Sequence, residues 1–111
     1  MVPWKRVVIE QLEMLASEEQ QLEYEANVPH VDVTVELVSG WFDDSYHPEA
    51  SDFCACFTAD ELAALRSFTK FYDDRRKNLP KSSGSVRTWL ANHLWRQVMD
   101  EAAQTRSRIA T

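Results

Sequence analysis

The stretch Val31-Asp-Val-Thr-Val-Glu-Leu-Val-Ser-Gly-Trp-Phe-Asp-Asp-Ser-Tyr46 decides the fold class of this chain, because it can be read in two ways. Val31, Val33, Val35 and Leu37 alternate with Asp32, Thr34 and Glu36, which is the period of a half-buried strand. On a helical wheel, Val35, Leu37, Val38, Trp41, Phe42 and Tyr46 fill one half, and Glu36, Ser39, Gly40, Asp43 and Asp44 fill the other. The helical pattern covers more residues and places all five polar ones on one side. The spacing predicts a helix over 34–46, entered through a short extended segment near 28–34, and with it an all-α protein.

Working outward toward the N-terminus, Trp4, Val8, Leu12, Leu15, Leu22 and Ala26 fall on one arc at 100° per residue, which predicts one helix over 4–26. Glu19 lies inside that arc and is read as reaching solvent or a neighbouring arginine. Pro29 lacks an amide donor and ends the helix. On the other side, His47-Pro48 breaks the chain, and 47–57 reads as a loop packed down by Phe53 and Phe57. Thr58-Ala-Asp-Glu61 is a capping box, with Phe57 and Leu62 placed as a hydrophobic staple. The helix it opens, over 59–78, buries Leu62, Leu65, Phe68, Phe71 and Tyr72. Arg75, Arg76 and Lys77 follow at its carbonyl end, where cations complement the dipole.

Lys81-Ser-Ser-Gly-Ser85 is a connector in which Ser83 or Ser85 can cap a last helix over 86–106. That helix has Val86, Trp89, Leu90 and Leu94 on one side and Ala91, Trp95, Val98, Met99 and Ala102 on the other. A helix apolar nearly all round is central to the core or shared with a partner, a second copy included, so Trp95 is a core residue or an interface residue. The tail from Arg106 is expected to fray. The whole is read as one domain, 1–111, a compact bundle of four main helices with a radius of gyration of roughly 13 Å.

Composition excludes several classes. Two glycines and four prolines rule out a collagen or a flexible linker, and four Trp, three Tyr and five Phe rule out a disordered tail. No apolar run approaches the roughly 20 residues of a membrane span, and the opening lacks a secretory pattern, so a cytoplasmic protein is expected. The net charge of −6 is unevenly distributed. Residues 1–64 hold fourteen acids against Lys5 and Arg6, while 65–111 hold ten bases against Asp73, Asp74, Asp100 and Glu101. Either the acidic half docks on the basic one, or an acidic face is kept for a basic partner, whose encounter a local field steers. Net acidity disfavours nucleic acid, where phosphate neutralisation supplies most of the affinity, and an anionic membrane surface likewise.

Chemistry-bearing patterns are few. Cys54 and Cys56 cannot staple a domain and, flanked by Phe53 and Phe57, read as buried small hydrophobes. Asp43, Asp44, His47, Glu49 and Asp52 form an acid-rich stretch without the order of a calcium loop. His30, His47 and His93 lie in no nucleophile or metal motif, and His93, beside Leu90 and Leu94 on the wheel, reads as a buried histidine. No cofactor, metal or catalytic residue is expected.

The segment 36–80 carries Glu36-Leu-Val-Ser-Gly-Trp-Phe-Asp-Asp-Ser-Tyr-His-Pro48, Phe57-Thr-x-Asp-Glu-Leu62 and Phe71-Tyr-Asp-Asp74. In these it resembles small bacterial helical proteins of unassigned function and, more loosely, immunity proteins that neutralise toxins of contact-dependent competition systems. The resemblance implies a binding protein of the bacterial cytosol. The expected function is therefore a small acidic protein-binding domain, an immunity- or antitoxin-like inhibitor of a basic toxin. Glu36, Asp43 and Asp44, with Trp95 if it is exposed, are its contact residues, and Glu36 and Asp43 stand nearly in register two helical turns apart. The alternatives are a regulatory or nucleic-acid-associated module using the basic segment 66–87 and, third, a metal- or small-ligand-dependent enzyme.

Overall fold

In the computed structural model, which describes residues 2–81 and 85–110, every regular element is helical. In chain order these are α1 (Trp4–Ala16), α2 (Glu18–Asn27), α3 (Val33–Ser39) running directly into a π-helical turn (Gly40–Ser45), α4 (Ser51–Cys54), α5 (Ala59–Arg76), α6 (Val86–Leu90) and α7 (His93–Ser107). The all-α class holds, and the strand reading of 31–37 does not: α3 starts at Val33, with Asp32 Oδ1 accepting the Thr34 amide at 3.1 Å and its hydroxyl at 2.6 Å. The Cα radius of gyration is 13.7 Å.

Two of the four expected helices are each divided, and in both cases a side-chain cap does it. The helix expected over 4–26 breaks at Ser17, whose backbone is extended (φ −114°, ψ 110°) and whose Oγ accepts the Gln20 amide at 3.0 Å. The break turns α2 about its axis, so Gln21 instead of Leu22 is the fully buried residue, and Ala26 and Glu19 are exposed. Buried glutamine requires partners, and Gln21 has three. Its Nε2 donates to the Met14 and Leu15 carbonyls at the end of α1, both at 3.1 Å, and its Oε1 accepts the Trp95 indole N–H at 3.0 Å.

The helix expected over 86–106 breaks at Asn92, whose Oδ1 accepts the Leu94 amide at 2.8 Å. The apparent two-sidedness of that stretch is resolved by the break. α6 buries Val86, Trp89 and Leu90, and α7 buries Trp95, Val98, Met99, Ala102 and Thr105, each helix being one-sided. His93, at the start of α7, is exposed, because the turn at Asn92 takes it off the Leu90 face. Ser85 Oγ caps α6 through the Arg87 amide at 3.1 Å, whereas the Ser83 alternative lies outside the described residues.

α7 is the central element, packed by α1 on one side and α5 on the other. α5 follows its sequence signals closely: Thr58 Oγ1 accepts the Glu61 amide at 3.1 Å, and Glu61 Oε1 accepts the Thr58 amide at 2.9 Å. Leu65, Phe68 and Tyr72 are buried, with Leu62 and Phe71 half-buried. The loop over 47–57 contains the single turn α4, and Phe53 and Phe57 are in the core as expected. The tail does not fray over the described residues. Ile109 is buried, and the Ala110 amide donates to Glu61 Oε2 at 2.8 Å. Burial alone would raise the Glu61 carboxyl, but the amides of Thr58 and Ala110 and the Lys5 ammonium (3.4 Å) hold it below the ordinary carboxylate range.

Candidate functional site

The site is the segment Val33–Ser45, whose inner face is fixed before its outer face matters. Val33, Leu37 and Trp41 recur every four residues and are buried. Trp41 is held from three sides. Its Nε1 donates to Thr69 Oγ1 at 3.0 Å, its ring stacks on Tyr46 at 5.6 Å, and Phe68 meets it edge-on at 5.1 Å. The Tyr72 hydroxyl donates to the Leu37 carbonyl at 3.2 Å, near the junction where the α-helix gives way to the π turn, and burial raises its phenol well above the ordinary tyrosine range.

The π turn begins at Gly40, where the Gln11 side chain of α1 lies close by. A Cβ at Gly40 would lie 2.8 Å from Gln11 Nε2, so the end of that α1 side chain would have to swing aside for any larger residue. Beyond it the hydrogen bonding lengthens to i+5: the Tyr46 amide reaches the Trp41 carbonyl at 3.0 Å, and Ser45 Oγ donates to the Gly40 carbonyl at 2.5 Å. A turn that takes one residue more than an α-turn sets back everything after it on the wheel by about one position.

That set-back rearranges the expected contact residues. Glu36, Asp43 and Asp44 are all exposed, as the wheel requires. Glu36 and Asp43, however, do not share a face. Asp44 takes the place an α-helix would give Asp43, and Glu36 and Asp44 together line a small cavity of about 190 Å³ with Gln11, Met14 and Tyr24. Asp43 turns to the opposite flank, into a cleft with Phe42 and Arg76. None of the three carboxylates has a hydrogen-bond or ion-pair partner among the described residues. Trp95 is fully buried, against Trp89 (4.9 Å) and Tyr72 (5.8 Å), so its place is the core and not a contact surface.

Three acids of α1 and α2 are engaged with the basic half, whereas the side chains of Glu10, Glu19 and Glu23 on the same helices are exposed and have no hydrogen-bond or ion-pair partner among the described residues. Glu18 pairs with Arg96 at 2.6 Å and Glu13 with Arg106 at 3.1 Å, clamping α2 and α1 to α7. Glu25 accepts the Val86 amide at 2.7 Å and the Ser85 hydroxyl at 3.0 Å at the start of α6. Three cations of the basic segment 66–87 are likewise occupied. Arg76 and Lys77 share Asp73 at 2.7 and 3.5 Å, and Arg75 lies 3.4 Å over the Phe71 ring while donating to Gln97 Oε1 at 2.8 Å.

The remaining chemistry-bearing residues are dispersed. His47 packs on Trp4 at 4.7 Å, with Nδ1 3.6 Å from Glu49, and the Trp4 indole N–H donates to Asp52 at 3.0 Å, holding that carboxyl below its ordinary range. The thiols of Cys54 and Cys56 are free and half-buried, and donate to the Pro48 and Asp52 carbonyls at 3.3 and 3.4 Å. Among the described residues no three His, Cys, Asp or Glu side chains gather where a metal ion could be held, and no helix is long and apolar enough to cross a membrane. No family model, curated protein or solved structure matches the chain.

Proposed function

We propose that the protein is a non-catalytic protein-binding domain of the cytosol that presents the exposed carboxylates of α3 and its π turn to a basic partner, in the manner of an immunity or antitoxin protein. The observation that carries this reading is that unpaired acids cluster on one anchored segment. Glu13, Glu18, Glu25 and Glu61 are bonded within the molecule, whereas Glu36, Asp43 and Asp44 stand unpaired on a segment anchored from beneath by Trp41 and Tyr72. Charges on an anchored element lose little freedom on binding, and their field accelerates encounter with a partner of opposite sign. A toxin that binds nucleic acid has such a basic face, and carboxylates in place of phosphates would occupy it.

Against the nucleic-acid alternative, Arg75, Arg76 and Lys77 are already engaged by Phe71, Gln97 and Asp73; for it, the side chains of Arg66, Lys70, Lys81 and Arg87 in the same segment have no hydrogen-bond or ion-pair partner among the described residues. The discriminating experiment is co-purification from the native host with two triple variants. Glu36→Lys/Asp43→Lys/Asp44→Lys should lose a basic protein partner, while Arg75→Gln/Arg76→Gln/Lys77→Gln should keep it. Loss with the second variant alone, together with bound DNA or RNA, would replace this reading with the alternative.

A further inference from the structure

The flank of α3 to which Asp43 turns is a cleft of about 520 Å³, a volume usual for small-ligand sites. Val35, Val38 and Phe42 form one wall, and Leu79, Pro80 and Trp89, from the end of α5 and from α6, form the other. Val35 is 53% exposed, so this apolar surface is open to solvent. The polar liners are mostly satisfied within the molecule: Ser39 Oγ donates to the Val35 carbonyl at 3.2 Å, Thr34 Oγ1 to Asp32 at 2.6 Å, and Arg76 is neutralised by Asp73 at 2.7 Å. Two opposite charges remain. Neither Asp43 nor Lys81 has a hydrogen-bond or ion-pair partner among the described residues.

Asp43 belongs to the α3 wall and Lys81 to the wall facing it. Asp43 follows Phe42, over whose ring the Arg76 guanidinium lies at 4.8 Å. Lys81 follows Pro80, whose carbonyl accepts the Trp89 indole N–H at 2.8 Å where α6 packs against α3. The wall from Thr34 to Asp43 runs roughly 13 Å at the helical rise per residue, which is about the span of four residues of extended chain.

We infer that this cleft binds a short, extended apolar peptide of about four residues, with its ammonium at Asp43, its carboxylate at Lys81 and its side chains over Val35, Val38, Phe42 and Trp89. A fatty carboxylate would match Lys81 but leave Asp43 unmet, and an apolar amine would do the reverse. A peptide with free ends satisfies both charges and the apolar walls together. The inference does not depend on the basic-partner reading, although Asp43 belongs to both.

The test is a titration of the intact protein with the tetrapeptide Leu-Ala-Ala-Leu, followed by the NMR shifts of the Val35, Val38 and Leu79 amides and the Trp89 indole. Saturable shifts with a Kd of about 1 mM or below are expected. N-acetylation and C-amidation should each weaken binding by about three- to fivefold, as for an exposed charge pair. Asp43→Asn should abolish the effect of acetylation alone, Lys81→Met that of amidation alone, and Val38→Trp should fill the cleft and remove the shifts. The inference is overturned by any of four results: no saturable shift up to about 10 mM; equal binding of the doubly blocked peptide; decanoate binding as tightly as the peptide; or undiminished binding to Val38→Trp whose circular dichroism matches wild type.

Discussion

The α1–α2 arm and the α3–π arm are both acidic, and each is interrupted in mid-pattern, yet they turn their polar groups in opposite directions. In the first, the break at Ser17 sends Gln21 into the core and leaves Glu13, Glu18 and Glu25 facing the basic helices α6 and α7. In the second, α3 and the π turn keep Leu37 and Trp41 inside and leave Glu36, Asp43 and Asp44 outside and without a partner among the described residues. Half of the first arm's acids, Glu13, Glu18 and Glu25, are tied into the fold, and none of Glu36, Asp43 and Asp44 in the second is tied to a described residue. The sign of a charge therefore says little about its use; what decides is whether the opposite charge lies within the same fold.

That contrast can be broken by mutation, and the largest effect is expected where a carboxylate is most deeply engaged. Glu61→Ala orphans the Thr58 and Ala110 amides and frees Lys5, and should cost about 2–4 kcal/mol of unfolding free energy in a urea titration. The same group sets an acid limit. Its pKa is lower in the folded state, so its contribution is complete above the ordinary carboxylate range, about 4.3, and is lost as pH falls through the folded value. The gap in stability between wild type and Glu61→Ala should narrow accordingly at low pH.

Gln21→Leu comes next. It keeps the volume but leaves the Trp95 indole and two α1 carbonyls unpartnered, and should cost about 1–3 kcal/mol by the same titration. A neutral result would mean that the buried amide is no part of what joins α2 to α7. Glu13→Ala and Glu18→Ala break half-exposed pairs and should each cost no more than about 1 kcal/mol, an effect that shrinks in high salt.

Legibility in the sequence followed the range of the interactions. α5 was readable to its first residue because its capping box and its terminal cations are local. Ser17-Glu-Glu-Gln20 carries the same kind of box, Ser or Thr followed three residues on by Glu or Gln. The apolar arc runs straight through it to Leu22 and Ala26 and masks it. Asn92 hid in the same way inside a stretch apolar on both sides, and a helix that looks two-sided is itself a signal to look for a cap. The exposure of Glu36, Asp43 and Asp44 was legible from the wheel. Their grouping was not, because no local pattern marks the π turn that carries Asp43 to the other flank. The order of the tail was invisible for the same reason, since its partner is Glu61.

The central claim is that the acids of α3 and its π turn serve recognition and not the fold. The most direct measurement is the rate of association between the purified partner and either wild type or Glu36→Lys/Asp43→Lys/Asp44→Lys, across ionic strengths from about 0.05 to 0.5 M. The account predicts that the variant unfolds within about 0.5 kcal/mol of wild type, and that the wild-type association rate falls steeply with salt while the variant's is slow and nearly flat. Equal rates with equal salt dependence for the two proteins would contradict it.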